Sequence, residues 1–203
     1  MDGWGRMTYP DGDVYVGEFE YDKRSGKGIL KYFSGVVYTG TFVEDLPSGF
    51  GTEEWPDGGS YFEGEFKQGK KNGRGLYMLS DGSKTEGEFV NDSLTGYGTF
   101  SSGTGRFYKG NWKNNKMHGK GELLYEDGSR YIGEFRSGIK DGFGTFTWPD
   151  GRKYEGIWRD GQQEGEGFYT NSKGENKQGI YWEGKLVKWI GEDLPYQSHL
   201  SNN

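Results

Sequence analysis

The feature that most constrains this chain is a glycine pattern that recurs every 23 residues. The segment Tyr131-Ile-Gly-Glu-Phe135 shows it most clearly, and the central glycine of that segment has equivalents from Gly17 to Gly179 at intervals of 23 or 24 residues. A Gly-x-Gly pair and a turn glycine, often in Asp-Gly, follow in the same register. Three landmarks in one register indicate a repeat architecture in which neighbouring units stack.

Each unit predicts two short strands joined by turns. The first strand is Tyr131–Phe135 and the second begins at Gly142, with a polar turn over 136–141 between them. The chain has 39 glycines and no alanine, and its apolar side chains are mostly 7 Trp, 15 Tyr and 13 Phe, which disfavours helices. The sequence therefore predicts an all-β fold: an elongated, single-layer antiparallel β-meander of about eight 23-residue hairpin repeats and roughly sixteen strands.

Alternation along a strand assigns these side chains to two faces. Tyr131 and Phe135 share a face with the glycine between them, whereas Ile132 and Glu134 point the other way. We expect the rings to lie over both glycines of the Gly-x-Gly pair in neighbouring strands, since aromatic cover compensates for strand glycine.

The opposite face carries charges at matched positions. Glu18 precedes Lys27 by nine residues, and Glu65 precedes Arg74 by the same interval. This spacing predicts cross-strand ion pairs worth ~0.2–1 kcal/mol each.

Tyr-x-Gly-Glu-Phe/Trp, Gly-x-Gly and Asp-Gly in 23-residue register resemble the MORN repeat (membrane occupation and recognition nexus) over about residues 3–185. Departures from the pattern replace the tyrosine or the glutamate of single repeats: Thr85, Phe62 and Lys177 for the tyrosine, and Thr41, Asn111, Ile157 and Ile180 for the glutamate. The resemblance implies a twisted β-meander that acts as a docking surface. Related arrays occur in radial-spoke heads, myosin-tail binders, junctophilins and protist scaffolds, and beside lipid kinases and SET-domain methyltransferases.

The ends of the array are expected to differ from its middle. Residues 1–185 form the predicted repeat array, and residues 186–203 a C-terminal cap or tail. The open edges should be the strand Gly3–Tyr9 and a strand around Gly179–Lys185, where self-association through unpaired backbone groups is feasible. The cap is expected to bury Trp189 and Ile190.

No motif for catalysis, metal binding or cofactor binding is found. The two histidines, His118 and His199, have no partner at metal-ligand spacing, and Gly-Lys is never followed by the Ser or Thr of a phosphate loop. The recurrent glutamates all occupy equivalent environments, whereas a catalytic pair needs two different ones. We expect a protein that is not an enzyme and uses no cofactor.

Charge is unevenly distributed along a chain of net charge −6. Residues 66–120 contain 10 Lys/Arg against 4 Asp/Glu, whereas both flanks are acidic. An acidic chain is a poor general binder of nucleic acids. The basic middle predicts an acidic partner segment at Lys109, Lys113 and Lys116; the alternative is binding to anionic phospholipid at a membrane surface.

The most favoured function is a protein-interaction scaffold that binds a partner helix or extended segment along its aromatic face. The site is predicted around one group of aromatic residues: Tyr108, Trp112, Tyr131, Phe135, Tyr154 and Trp158. The resemblance implies a cytoskeletal, axonemal or motor-associated partner in the cytoplasm, cilium or flagellum. A regulatory module of a larger enzyme, or a sugar-binding or choline-binding hairpin array, are the remaining alternatives.

Overall fold

The protein is a single antiparallel sheet, seen in a computed structural model that describes residues 2–191. Within those residues no helix is present that could cross a membrane. The strands are β1 Gly3–Thr8, β2 Val14–Glu20, β3 Lys23–Lys31, β4 Val37–Val43, β5 Leu46–Glu54, β6 Tyr61–Lys67, β7 Lys70–Met78, β8 Lys84–Val90, β9 Ser93–Ser101, β10 Phe107–Lys113, β11 Lys116–Leu124, β12 Arg130–Arg136, β13 Ile139–Thr147, β14 Lys153–Arg159, β15 Gln162–Thr170, β16 Asn176–Trp182 and β17 Lys185–Trp189.

The strands pair in chain order, each with its neighbours in the sequence, and within residues 2–191 the edges of the sheet are β1 and β17. The predicted all-β meander of hairpin repeats is confirmed, with seventeen strands. Repeats one to eight are numbered here from the hairpin β2–β3 to the hairpin β16–β17.

The turn inside each repeat is shorter than predicted. In repeat six it consists of Ser137 and Gly138, with φ of 52° and 91°, so the second strand begins at Ile139 rather than Gly142. Two positive φ values are typical of the tight type I′ hairpin turn, whose twist matches that of the strands. The turn after repeat six is a three-residue loop: Gly151 has φ 86° and donates its N–H to the carbonyl oxygen of Trp148 at 3.0 Å.

A bulge interrupts the hairpin of each of the first seven repeats at the same place. In repeat six Gly133 pairs with Gly144, but Phe135 pairs with Lys140, so Glu134 alone faces three residues of β13. The residues between those two pairs include Gly142, whose φ is 110°. A bulge of this kind bends the strand and increases its twist.

The C-terminal end of the described chain is a strand. Lys185–Trp189 pair with β16, and the ring of Trp189 lies 6.2 Å from that of Tyr169. Ile190 remains 42% exposed, so the prediction that it is buried was wrong. Most of the predicted tail, residues 192–203, lies outside the described residues.

The core occupies one face of this single layer. Its buried side chains form two clusters, one running from Tyr15 to Leu94 and one from Tyr108 to Tyr181. As predicted, Tyr131 and Phe135 are on the buried face, and Ile132 is exposed on the other.

Candidate interaction surface

An aromatic ladder runs along the buried face of the sheet. Neighbouring rings have centroids 4.8–5.4 Å apart and interplanar angles of 75–90°. The ladder has two parts, in spatial order Phe19, Tyr15, Phe42, Tyr38, Phe66, Phe62, Phe89 and then Trp112, Tyr108, Phe135, Tyr131, Trp158, Tyr154, Tyr181. Edge-to-face pairs of this kind contribute ~0.5–1.5 kcal/mol each beyond the burial of their area.

The tyrosine at the first ring position of a repeat also donates a hydrogen bond to the bulge beside it. The hydroxyl of Tyr131 donates to the carbonyl oxygen of Glu134 at 3.1 Å, and that of Tyr108 donates to the carbonyl oxygen of Asn111 at 2.8 Å. Burial raises the pKa of Tyr108 to about 12. A buried hydroxyl needs a partner, so these bonds explain why tyrosine suits the first ring position of a repeat.

Glycine provides the space beneath each ring. A Cβ atom on Gly133 would lie 2.5 Å from the hydroxyl oxygen of Tyr131, so any side chain there would displace the ring. The predicted cover of the second glycine of each Gly-x-Gly pair is confirmed in the repeats that carry the ring.

The first glycine of the pair faces the other side of the sheet, and the prediction that rings cover it was wrong. A Cβ atom on Gly142 would lie 2.8 Å from the Cβ atom of Glu134. The positive φ of Gly142 within the bulge reverses the direction that its side chain would take.

The recurrent glutamate binds backbone rather than a cation. Glu18 accepts the backbone N–H of Lys27 at 3.0 Å, and Glu65 accepts that of Arg74 at 3.2 Å. The predicted ion pairs with these two side chains are not formed within residues 2–191. The carboxylate therefore supplies an acceptor for an N–H group beside the bulge, a charge-assisted bond.

The ladder is interrupted at repeat four, where Thr85 occupies the tyrosine position. A ring there would bridge Phe89 and Trp112, which are the ends of the two parts of the ladder. Two further aromatic positions are also lost nearby: Leu79 and Ser102 stand where other repeats have Tyr125 and Trp148. The two buried clusters divide at this place.

An open cavity of about 620 Å³ lies at the interruption. Thr85 lines it together with Trp55, Tyr77, Phe100 and Trp112. These rings give the cavity apolar walls on a face where most other rings are sealed against one another. Such a concave apolar site with few polar groups is typical of binding pockets.

One polar atom in this cavity wall lacks a partner. The indole Nε1 of Trp112 is buried and forms no hydrogen bond within the described residues. The equivalent atom of Trp158 donates to the carbonyl oxygen of Gly144 at 3.1 Å. Trp112 instead lies over Gly98, where a Cβ atom would be 3.2 Å from its Nε1. A buried donor without an acceptor is unfavourable.

In several repeats the second residue of the second strand is a cation that lies beside the aromatic ladder. Arg24 pairs with Asp45 at 3.5 Å, and Lys71 pairs with Glu53. Lys140 lies 3.9 Å from the ring centroid of Trp158 and forms no ion pair within residues 2–191. Burial lowers the pKa of Lys140 to about 8.

The structure assigns five of the six predicted aromatic site residues to the core. Tyr108, Tyr131, Phe135, Tyr154 and Trp158 are at most 4% exposed. Trp112 is half-buried and lines the cavity. A partner on this face would therefore contact the residues around the five buried rings. Of the six predicted aromatic residues, it would contact Trp112 directly.

The three predicted lysines do not form one patch. Lys109 lines a groove on the outer face, whereas Lys116 lines the cavity on the aromatic face. Lys113 pairs directly with Lys116 across the turn of repeat five. Sequence reasoning missed Arg106, an exposed cavity-lining residue, although alternation from Tyr108 places it on the aromatic face.

The outer face carries exposed apolar side chains as well. Phe50, Tyr97 and Phe143, each between the two glycines of a Gly-x-Gly pair, are 60%, 58% and 52% exposed. Their neighbours at the same position include Lys27 and Arg74, so this face is mixed in character.

An open sheet of stacked hairpins with an apolar cavity defines a repeat protein of the interaction class. A family model described as MORN repeat matches residues 1–14, 15–37, 38–60, 62–84, 86–105, 108–130, 131–151 and 154–175, and the chain belongs to this family. Its membership supports a protein-interaction scaffold. The comparison with curated protein sequences found no match to this chain.

Some solved structures are similar to this chain at low identity. The TCP domain of SAS-4 (dCPAP) from Drosophila melanogaster, in complex with a proline-rich motif of Ana2 (dSTIL), is 10% identical with a TM-score of 0.47, over 88% of this chain and 90% of that one. The wild-type TCP10 domain of Danio rerio CPAP is 15% identical with a TM-score of 0.36, over 91% and 98%. At TM-scores below 0.5, nothing about function follows from the likeness.

Proposed function

We propose that this chain is a non-enzymatic scaffold that binds a helix or extended segment of a partner protein along its aromatic face. The observation that carries the proposal is the apolar cavity beside Thr85, where the otherwise sealed ladder is open. Aromatic side chains at such an opening are frequent hot spots of protein interfaces.

Cross-linking mass spectrometry on affinity-captured complexes tests the proposal when each face has its own variant. Arg106→Glu alters the aromatic face and Tyr97→Ser the outer face, and both residues are exposed. We expect the partner to be lost from the Arg106→Glu complexes and retained by Tyr97→Ser, with cross-links near the cavity. The opposite pattern would assign binding to the outer face.

The partner is proposed to belong to a cytoskeletal, ciliary or flagellar assembly of the axonemal, radial-spoke type. This extension rests on the kinds of protein in which MORN arrays occur. A fluorescently tagged full chain expressed in a ciliated cell should remain with the detergent-extracted cytoskeleton or axoneme. A diffuse, fully extractable signal would contradict it.

Binding to anionic lipid is the second candidate, favoured by the excess of cations in residues 66–120. The structure divides those cations between two faces, and Lys71 is engaged by Glu53. Co-sedimentation with phosphatidylserine vesicles at physiological salt separates the two functions, since a protein scaffold should stay in the supernatant.

A further inference from the structure

The interruption at repeat four has a shape that a partner side chain could fill. A ladder tyrosine at position 85 would contact Phe89 and Trp112; with Thr85 there, the space above the glycines is only partly taken. Leu94 lies over Gly87, where a Cβ atom would be 2.8 Å from its Cδ1 atom. The remaining cavity, about 620 Å³, is large enough for a phenylalanine or leucine side chain together with part of its backbone.

Three of the four charged residues that line this space are cations: Lys71, Arg106 and Lys116. Arg106 lines the cavity, is exposed, and forms no ion pair in the described part of the chain. The buried indole N–H of Trp112 is a donor without an acceptor. Asp92 is the one acidic lining residue, and its carboxylate accepts the backbone N–H of Lys71 at 2.9 Å.

A second unpaired cation lies on the same face. Lys140 follows Met117, a cavity-lining residue, by one repeat, and two strand spacings separate them by ~10 Å. The cations at the equivalent position in repeats one and three, Arg24 and Lys71, have carboxylate partners within the chain. Around Lys140 the equivalent positions carry no carboxylate: Leu123 stands at the position of Glu53, and Gly161 stands at the position of Asp45.

We propose that the interruption at Thr85 is an anchoring site for an acidic segment of a partner protein, which inserts one large apolar side chain between Phe89 and Trp112. Carboxylates flanking that side chain pair with Arg106 and Lys140. The inference rests on the proposed scaffold function and adds to it the place and the chemistry of the partner.

Fluorescence anisotropy with a designed probe tests the chemistry on the full chain. The probe is a labelled eight-residue peptide in which a Phe-Leu pair is flanked by three glutamates on each side; its control carries lysines in place of the glutamates. We expect the glutamate peptide to bind at least tenfold more tightly than the lysine peptide, and its affinity to fall with salt because exposed charges are screened. Equal affinities would overturn the proposal.

Matched variants test the place. Thr85→Tyr closes the gap from within and should weaken the glutamate peptide at least tenfold, whereas Thr39→Tyr, on the outer face, should leave it unchanged. Arg106→Gln and Lys140→Met should each weaken it about fivefold. The double variant Lys109→Gln/Lys113→Gln removes two charges outside the ladder and should change it less than twofold. Undiminished binding by Thr85→Tyr, or equal loss in the double variant, contradicts the site.

Nuclear magnetic resonance provides a readout that does not depend on how well Thr85→Tyr folds. In the wild-type chain the indole N–H signal of Trp112, assigned with Trp112→Phe, should shift when the glutamate peptide binds, while that of Trp158 should not. An unshifted Trp112 signal at saturating peptide overturns the proposal. A native partner that binds wild type and Thr85→Tyr equally would leave the scaffold function standing and remove only this site.

Discussion

Repeats four and six have the same backbone and different cores. Both consist of a seven-residue and a nine-residue strand, and both shift register after the paired glycines, at Gly87 and at Gly133. Repeat six has Tyr131 in the ladder, and repeat four has Thr85. The glycines and turns therefore specify the hairpin, so the residue at the ring position can change without loss of the strand pairing.

The largest expected difference between the two repeats is the cost of truncation. Tyr131→Ala removes two edge-to-face contacts and a hydrogen bond and should cost ~3–5 kcal/mol, in the range for a buried aromatic residue. Thr85→Ala should cost less than ~1 kcal/mol, since little packs on it. Urea unfolding measures both.

The damage from Tyr131→Ala should be local, because repeats contact only their neighbours. Hydrogen exchange should speed up in β12 and β13 and stay unchanged in β2 and β3. Ile132→Ala, on the exposed face of the same strand, is the control; a cost similar to that of Tyr131→Ala would contradict the assignment of faces.

The next difference is expected in the cost of replacing a glycine in the bulge of each repeat. Gly142→Ala and Gly96→Ala both place a side chain at positive φ, which costs ~1–3 kcal/mol. The new Cβ atom would additionally strike Glu134 in repeat six, whereas in repeat four it would lie 3.5 Å from Glu88. We expect Gly142→Ala to be the more destabilising by ~1 kcal/mol in thermal or urea unfolding, a typical scale for overpacking. Equal costs would mean that the glutamate moves aside freely.

Completing the ladder should make repeat four resemble repeat six. Thr85→Tyr adds edge contacts with Phe89 and Trp112, and two such pairs are worth ~1–3 kcal/mol together. The new ring must displace Leu94 and Trp112 from above the glycines, and this displacement costs part of the gain. We therefore expect a net stabilisation of ~1 kcal/mol. Thr39→Tyr controls for added apolar surface. A lower melting temperature for Thr85→Tyr would show that Leu94 and Trp112 cannot withdraw.

The two repeats should also differ in the pH dependence of their stability. Lys140 has its pKa lowered to about 8 by burial, while its counterpart in repeat four is the uncharged Leu94. The unfolded chain keeps this proton up to the ordinary pKa of ~10.4, so it binds more protons than the folded chain above pH 8, and stability should rise. Unfolding of wild type and Lys140→Met from pH 7 to 10 measures the effect; parallel curves would contradict it.

Periodicity predicted the strands and the faces, because side-chain direction alternates whatever the neighbours do. It failed at Gly142, where a positive φ reverses that direction, and at the turn inside the repeat, which was predicted over 136–141 although Ile139–Asp141 belong to a strand. The rings of Tyr108 and Tyr154 were predicted as a binding surface, yet in a single layer the most regular rings are those that pack on each other. The cavity was not predictable from Thr85 alone, since its lining residues come from several repeats, from Trp55 to Gly138.

The strictly sequential pairing of the strands has a kinetic consequence. Within residues 2–191 every pairing of the sheet joins strands that are consecutive in the chain, so the average loop that must close during folding is one hairpin long. Topologies dominated by local contacts fold fast for their size, and all-β proteins are usually at the slow end because their pairings are distant. This chain should therefore fold one hairpin at a time during its synthesis, with each new hairpin pairing with the hairpin that has already folded.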